Sequence, residues 1–488
     1  MLKIDSRMDW TEDLLIEAWD EIAKISVEEL ELVPGKDLYP NQFEIVTAEQ
    51  MLDAYASVGL PVHYYHWSFG KEFVKNEQQY AKGRMGLAYE MVINTNPCVN
   101  LLMEENLAYM QVMVMAHAGV GHNAVFANNE YFKEWTNAGS IIEYMVFARN
   151  YIALCEDRYG APEVERVLDA CHALANHGID KYKRKHQPKL DDEQRLKKLF
   201  EKDEARQREL DIVMKRTSIV ENDELKEEAT PTLDEENLLY FIMKRAPKLE
   251  QWKREIIRIV YKINQYFSPQ GLTKTLNEGF ATFCHYYIMQ RLEEKGIITS
   301  DAFIAFLKSH SSVVYQPPYN SRHWSGLNPY ALGYAIFRDI KRICENPTDE
   351  DKQFMPHLIG RRWQDAVKEA AFGYRDDSFI HQFLSPAVVR EFKMFSVKYG
   401  DENHDAGVVT EIQDERGFYN LRQALAESYE RVNRVPQIRI IGADMENDRT
   451  LKLVYDSYKD RQVHEPDCAA VLGHLDYLWG YNVEMTLG

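Results

Sequence analysis

Two histidines five residues apart stand in the string His117-Ala118-Gly119-Val120-Gly121-His122-Asn123, at the end of the strongly apolar run 101–116. Paired imidazoles on one helix are the usual opening of a helical zinc site, where a four-residue spacing sets the rings about 40° apart around the axis. Five residues give about 140° in a regular α-helix, so these two rings would diverge. A local π-bulge absorbs one residue and returns them to one face, and Gly119 and Gly121 leave the backbone free to form it. Without a bulge, the pair suits ordinary histidines satisfied in a core or at a helix end.

The second string is Asn277-Glu278-Gly279-Phe280-Ala281-Thr282-Phe283-Cys284-His285, where an acid enters an apolar, aromatic helix. Carboxylates are rarely buried without a partner. A divalent metal, zinc foremost, would be that partner: His117, His122 and Glu278 then supply two imidazoles and one carboxylate and leave a position open for water, as catalytic sites do. His285 shares the face of Glu278 within about 20° but lies about 10.5 Å further along the axis. It therefore reads as a catalytic proton-transfer or supporting group rather than a ligand. A Glu–His pair crossing a helix interface is the alternative.

Helical zinc hydrolases commonly place a glutamate directly after the first histidine, where this chain has Ala118. The base must come from elsewhere. Glu104, Glu105, His63 and His66 have the right chemistry, and Glu105 is the candidate catalytic carboxylate. Candidate substrate contacts are His63 and His66 in PVHYYHWSFGKEF, Asn123 beside the second histidine, and Arg322. Arg322 belongs to a polar-aromatic group with Tyr315, Tyr319, His323, Trp324 and Tyr330, and its guanidinium suits a carboxylate or phosphate. Aromatic packing is the simpler explanation of the first of these groups, and a loop docked on the core is the alternative for the second.

These strings need elements to position them. At 488 residues the chain exceeds one ordinary core, and usual domain sizes divide it into about two or three. Residues 1–62 read as an N-terminal helical layer, with Trp10, Leu14, Leu15, Ala18 and Trp19 on one stripe. Residues 63–185 read as a helical core carrying the histidine pair, with LLMEENLAYMQVMVMAHAGVGHN among its helical stretches. Dense mixed charge marks 186–236 as a linker or insertion. A second helical core, 237–395, carries Asn277–His285, and in 396–488 the segments QIRIIGAD, RTLKLVYDSY and YNVEMTLG alternate like strands. The expected fold is mainly α-helical, a multi-layer helical core with a small α+β C-terminal domain.

A net charge of −19 speaks against nucleic acid and anionic lipid, which call for clustered lysine and arginine. Apolar content of 45% and charged content of 28% belong to a folded chain. The acidic N-terminus lacks the apolar stretch of a secretory signal, and nowhere do about 18 apolar residues run together to span a membrane. Six scattered cysteines without a CxxC pair read as reduced thiols. A soluble, cytoplasmic protein is expected.

The strings HWSFGK, PCVNLLMEEN, AHAGVGHN, ENLLYFIMKRAP, WKREIIRIVYKINQYFSPQ, NEGFATFCHY and NPYALGYAIFRDI, collinear from His63 to Phe395, together resemble the SpoVR-like (stage V sporulation protein R) family. Phe280 and Cys284 stand where family members often have tryptophan, and FANN replaces the more usual FKNN. These changes touch packing and one positive charge, and leave His117, His122, Asn123, Asn128, Asn129, Asn277, Glu278 and His285 in place. The resemblance implies a setting in sporulation, stationary phase or stress response. It also implies association with a PrkA-type serine kinase and a von Willebrand-factor-like protein. Two functions are then in view: a metal-dependent hydrolase of a peptide or amide bond, with a peptide or cell-wall (peptidoglycan) precursor as substrate, or a non-enzymatic adaptor of the kinase module.

Overall fold

Thr11 opens the first helix, Glu12–Ile25, by accepting a hydrogen bond from the Leu14 amide, and Ala18, Ile22 and Ile25 bury its inner face. The computed structural model describes residues 2–56, 63–81, 90–182, 237–318, 321–394, 396–400, 403–411, 415–430, 435, 437–443, 448–456 and 464–487. The expected linker at 186–236 lies outside the described residues. Helices dominate, and among the described residues no helix is long and apolar enough to cross a membrane.

Two compact units form, each from discontinuous stretches: 1–153 with 262–436, and 154–261 with 437–488. The spatial division therefore cuts across the consecutive segments read from the sequence. In the first unit, strands β1 (Asn41–Val46), β2 (Glu90–Ile93) and β3 (Cys98–Met103) make a small mixed sheet. Here β3 is central, parallel to β1 with Asn41 opposite Cys98, and antiparallel to β2 with Glu90 opposite Leu102. Leu101–Met103 were expected within a helical stretch. They form a strand instead, because β3 is covered on both faces and shows no alternation to tell a short buried strand from a buried helix.

After the turn at Glu104–Asn106, one rod of helix runs as Ala108–Val114, Met115–His122 and Asn123–Asn128, almost wholly buried. It packs against the helix Lys274–Glu294, which packs in turn against Pro329–Glu345. These three layers are the body of the first unit. The antiparallel pair β4 (Ser396–Gly400) and β5 (Asn403–Glu411), with the helix Glu415–Tyr429, also falls in this unit, so the C-terminal unit takes up the chain only at 437 rather than at 396.

In the second unit, β6 (Gln437–Ala443), β7 (Leu451–Asp456) and β8 (Val483–Leu487) form the expected small α+β element. The central strand β7 is antiparallel to β6 and parallel to β8, the helix Glu465–Trp479 providing the crossover that a parallel pair requires. Trp479 is fully buried and stacks on Phe241 at 5.8 Å. All six cysteines are free.

Candidate metal centre

Met115–His122 is π-helical, and the Asn123 amide closes back on Ala118 and Val120. In a π-turn residues five apart stack, so the extra residue between the histidines is absorbed and both imidazoles reach one place, their centroids 4.6 Å apart. The two glycines serve a purpose other than loosening the backbone, since neither has a positive φ. Each admits a neighbour that a side chain would displace. A Cβ on Gly119 would lie 2.9 Å from both Phe43 Cζ and Trp19 Cζ3; one on Gly121 would lie 2.7 Å from Ala281 Cβ and closer still to its Cα.

That approach of Gly121 to Ala281 brings the histidines to Glu278. The helix bearing Glu278 is fixed at its start by the buried Asp376, which accepts the Thr275 and Leu276 amides at 2.9 and 2.8 Å. On its other side Gly279 lies against Gly333, where an added Cβ would come within 2.9 Å of the Gly333 carbonyl oxygen. Glu278 Oε2 stands 3.4 Å from His122 Nε2 and 3.8 Å from His117 Nε2. The ring nitrogens facing away are also engaged: His122 Nδ1 donates to Asn277 Oδ1 at 2.9 Å, and His117 Nδ1 meets His285 Nδ1 at 2.8 Å. Such outward partners orient an imidazole and set which nitrogen keeps its lone pair.

A second carboxylate completes the cluster. Glu90, at the start of β2, places Oε1 3.2 Å from His117 Nε2, and the ligand atoms of Glu90, His117 and His122 all lie within 4.8 Å of one another. Glu90 Oε2 and Glu278 Oε2 are both buried oxygens without a well-formed hydrogen bond. The two acids differ in their electrostatics. Burial holds the Glu90 carboxyl above its ordinary range despite the nearby histidines. Burial pushes Glu278 in the same direction, but the charge and hydrogen bonding of His122 and His117 prevail and hold it well below the carboxylate range. Burial depresses His122, and Glu278, Glu90 and Asn277 outweigh it and raise it. Tyr330, in the first turn of Pro329–Glu345, has its phenol pushed up by burial and by the nearby Glu278 and Glu90.

The other residues singled out by sequence lie elsewhere. Glu105 is exposed in the turn after β3 and takes no part in the cluster; the carboxylate brought in is Glu90, because β2 pairs beside β3 and so lies next to the π-helix. Asn123 is not open to substrate: its side chain is wholly engaged with the Tyr39 amide and carbonyl and with Asn41 Oδ1, clamping the chain that enters β1. Arg322 is exposed and bonds to its neighbour His323; of its aromatic group Tyr330 lies near Glu278, and Tyr319 lies outside the described residues. His63 packs on Tyr64 and Phe69, burial taking it down to about 4, and His66 Nδ1 meets Ser68 Oγ at 2.7 Å. His285 supports His117 from behind and does not face the space between the carboxylates. Sequence reasoning missed Glu90, a lone acid opening the short strand EMVI; its only signal is that an acid is out of place there.

The family model described as "SpoVR like protein" matches residues 9–434, and that described as "SpoVR-like C-terminal domain" matches residues 436–487. The chain belongs to the SpoVR family. A SpoVR relative in Escherichia coli (strain K12), named "Uncharacterized protein YcgB", is 46% identical over 477 residues, covering 97% of this chain and 92% of its own length. No solved structure matches this chain significantly. The boundary between the two SpoVR models near 435 coincides with the start of the C-terminal stretch of the second unit, whose other stretch, 154–261, falls within the larger model, as does the whole cluster.

Proposed function

We propose that this SpoVR protein is a metal-dependent hydrolase of a peptide or amide bond, with a divalent cation held by His117 Nε2, His122 Nε2 and Glu278. One observation carries the reading: the ligand atoms of Glu90, His117 and His122 converge, Glu278 stands against both histidines, and one buried oxygen of each carboxylate lacks a well-formed hydrogen bond. The spacing suits an ion. Ligands at about 2.0–2.1 Å around a tetrahedral centre are about 3.3–3.4 Å apart, beside 3.4 and 3.8 Å for the His122–Glu278 and His117–Glu278 pairs. Two imidazoles with carboxylate favour zinc. Such a cation would polarise a scissile carbonyl and acidify a water.

Glu90 takes the role that Ala118 leaves vacant, accepting a proton from the attacking water and passing it to the leaving amine. Tyr330 donates from beside Glu278 to the oxygen that gains charge. In this reading the substrate is a peptide or cell-wall precursor met in the cytoplasm, and a PrkA-type kinase and a von Willebrand-factor-like protein are regulatory partners in stress or sporulation. The test is elemental mass spectrometry on untagged protein together with a screen of amide substrates, with circular dichroism to confirm folding. Glu278→Gln and His117→Ala should lose the metal while folded, and Glu90→Gln should keep it and lose turnover. Metal-free wild-type protein after reconstitution would leave the cluster a structural polar core and shift the reading to the adaptor.

A further inference from the structure

The polar chain continues behind His117. His117 Nδ1 lies 2.8 Å from His285 Nδ1, and His285 Nε2 lies 3.0 Å from His310 Nδ1. His310 comes from the separate helix Ser300–Val313 and is walled by Phe306, Tyr286 and Tyr334. All three imidazoles are buried, at 5, 3 and 6% exposure. Burial, aided by neighbouring imidazoles, keeps His285 far below its ordinary value, and burial with the Arg338 charge takes His310 down to about 4. A neutral imidazole has one N–H and one lone pair, so a ring bonded at both nitrogens donates at one and accepts at the other.

A row of neutral imidazoles joined in this way has two hydrogen-bond polarities. In one, His117 Nδ1–H donates to His285, His285 Nε2–H donates to His310, and His117 Nε2 turns a lone pair toward Glu90 and Glu278. In the other, every donor is reversed and a proton occupies His117 Nε2, where a cation would bind. Each ring keeps one proton in the exchange, since the proton lost at His117 Nε2 is matched by one gained at His310 Nε2. We infer that His285 and His310 are positioning residues that fix the tautomer of His117, coupling cation loading to the proton position on His310, a residue from another helix that never touches the ion. The inference rests on the metal reading above. His122 is served differently, by the single amide of Asn277.

Titration of apo-protein with Zn2+ against a chromogenic chelator, for wild type, His310→Leu and His310→Asn, tests the coupling. His310→Leu removes the acceptor for His285 Nε2–H and should weaken Zn2+ about 10–100-fold, the usual effect of losing such a partner. His310→Asn keeps a carbonyl acceptor and should recover most of the affinity. Histidine 15N spectra of Zn2+-loaded wild type, assigned through His285→Asn and His310→Asn, should show His285 and His310 as Nε2–H tautomers, a signature that a purely packing role would not produce and one independent of whether His310→Leu folds. Wild-type affinity in His310→Leu, or an Nδ1–H tautomer at His310 in the loaded protein, would overturn the coupling alone. Wild-type protein that binds no Zn2+ would overturn the metal reading and the coupling with it.

Discussion

Replacing Gly121 with alanine should abolish tight cation binding while leaving the protein folded. The new Cβ would stand 2.7 Å from Ala281 Cβ and closer to its Cα, short of the 3.4 Å at which carbon contacts become ordinary. The obstacle is backbone and a methyl group with no rotamer to change, so the histidine-bearing and Glu278-bearing helices must part by about 1 Å. Overpacking of this kind costs about 1–3 kcal/mol, tolerable against the roughly 5–15 kcal/mol of a stable domain. Coordination distances hold only within about 0.2 Å. Glu278 Oε2, 3.4 Å from His122 Nε2, is carried on the far side of that contact and leaves the ligand set. Zn2+ affinity should fall about 100-fold or more, the upper end of what a disturbed supporting residue costs. Chelator competition measures the affinity, and far-ultraviolet circular dichroism with a thermal melt establishes folding. Gly271→Ala, whose Cβ would meet nothing within 4 Å, is the control and should bind as wild type. A folded Gly121→Ala protein with wild-type affinity would refute the claim that this close helix approach assembles the site.

Three further outcomes follow from the same geometry. Asn277→Leu frees His122 Nδ1 and should weaken Zn2+ about 10–100-fold in titrations against a chelator. Tyr330→Phe should retain metal but lower kcat about 100-fold or more in any amide assay the wild type supports, and an unchanged kcat would remove Tyr330 from the chemistry. Away from the site, burial would raise the Asp351 carboxyl, but Arg342, bonded at 2.7 and 2.8 Å, and Thr348 hold it down at about 2. Because its folded value lies below the unfolded value of 3.8, the Asp351 contribution is present above about pH 4 and lost as pH falls through 2. Asp351→Asn should therefore lower stability near neutral pH by on the order of 2 kcal/mol, and melts should show this difference shrinking between pH 4 and 2.

The convergence of the histidine pair and Glu278 was legible in the sequence alone. Five-residue spacing demands a π-turn if the rings are to meet, and an acid in an apolar helix demands a partner; both demands follow from local periodicity and desolvation, and both are met at Met115–His122 and Glu278. Helical dominance and the C-terminal strands were legible for the same reason, since amphipathic period is a local property. What joins these pieces is not local. Glu90 reaches His117 only because β2 pairs with β3, and His310 reaches His285 only because the helix Ser300–Val313 turns back and packs on the preceding helix Lys274–Glu294. The loss of Asn123 to the Tyr39 backbone and of Glu105 to an exposed turn is likewise decided by which backbone arrives beside them. A side chain's type sets what it can do, but its partners are set by burial and packing between distant segments, and a single sequence read along its length does not encode those contacts in any spacing.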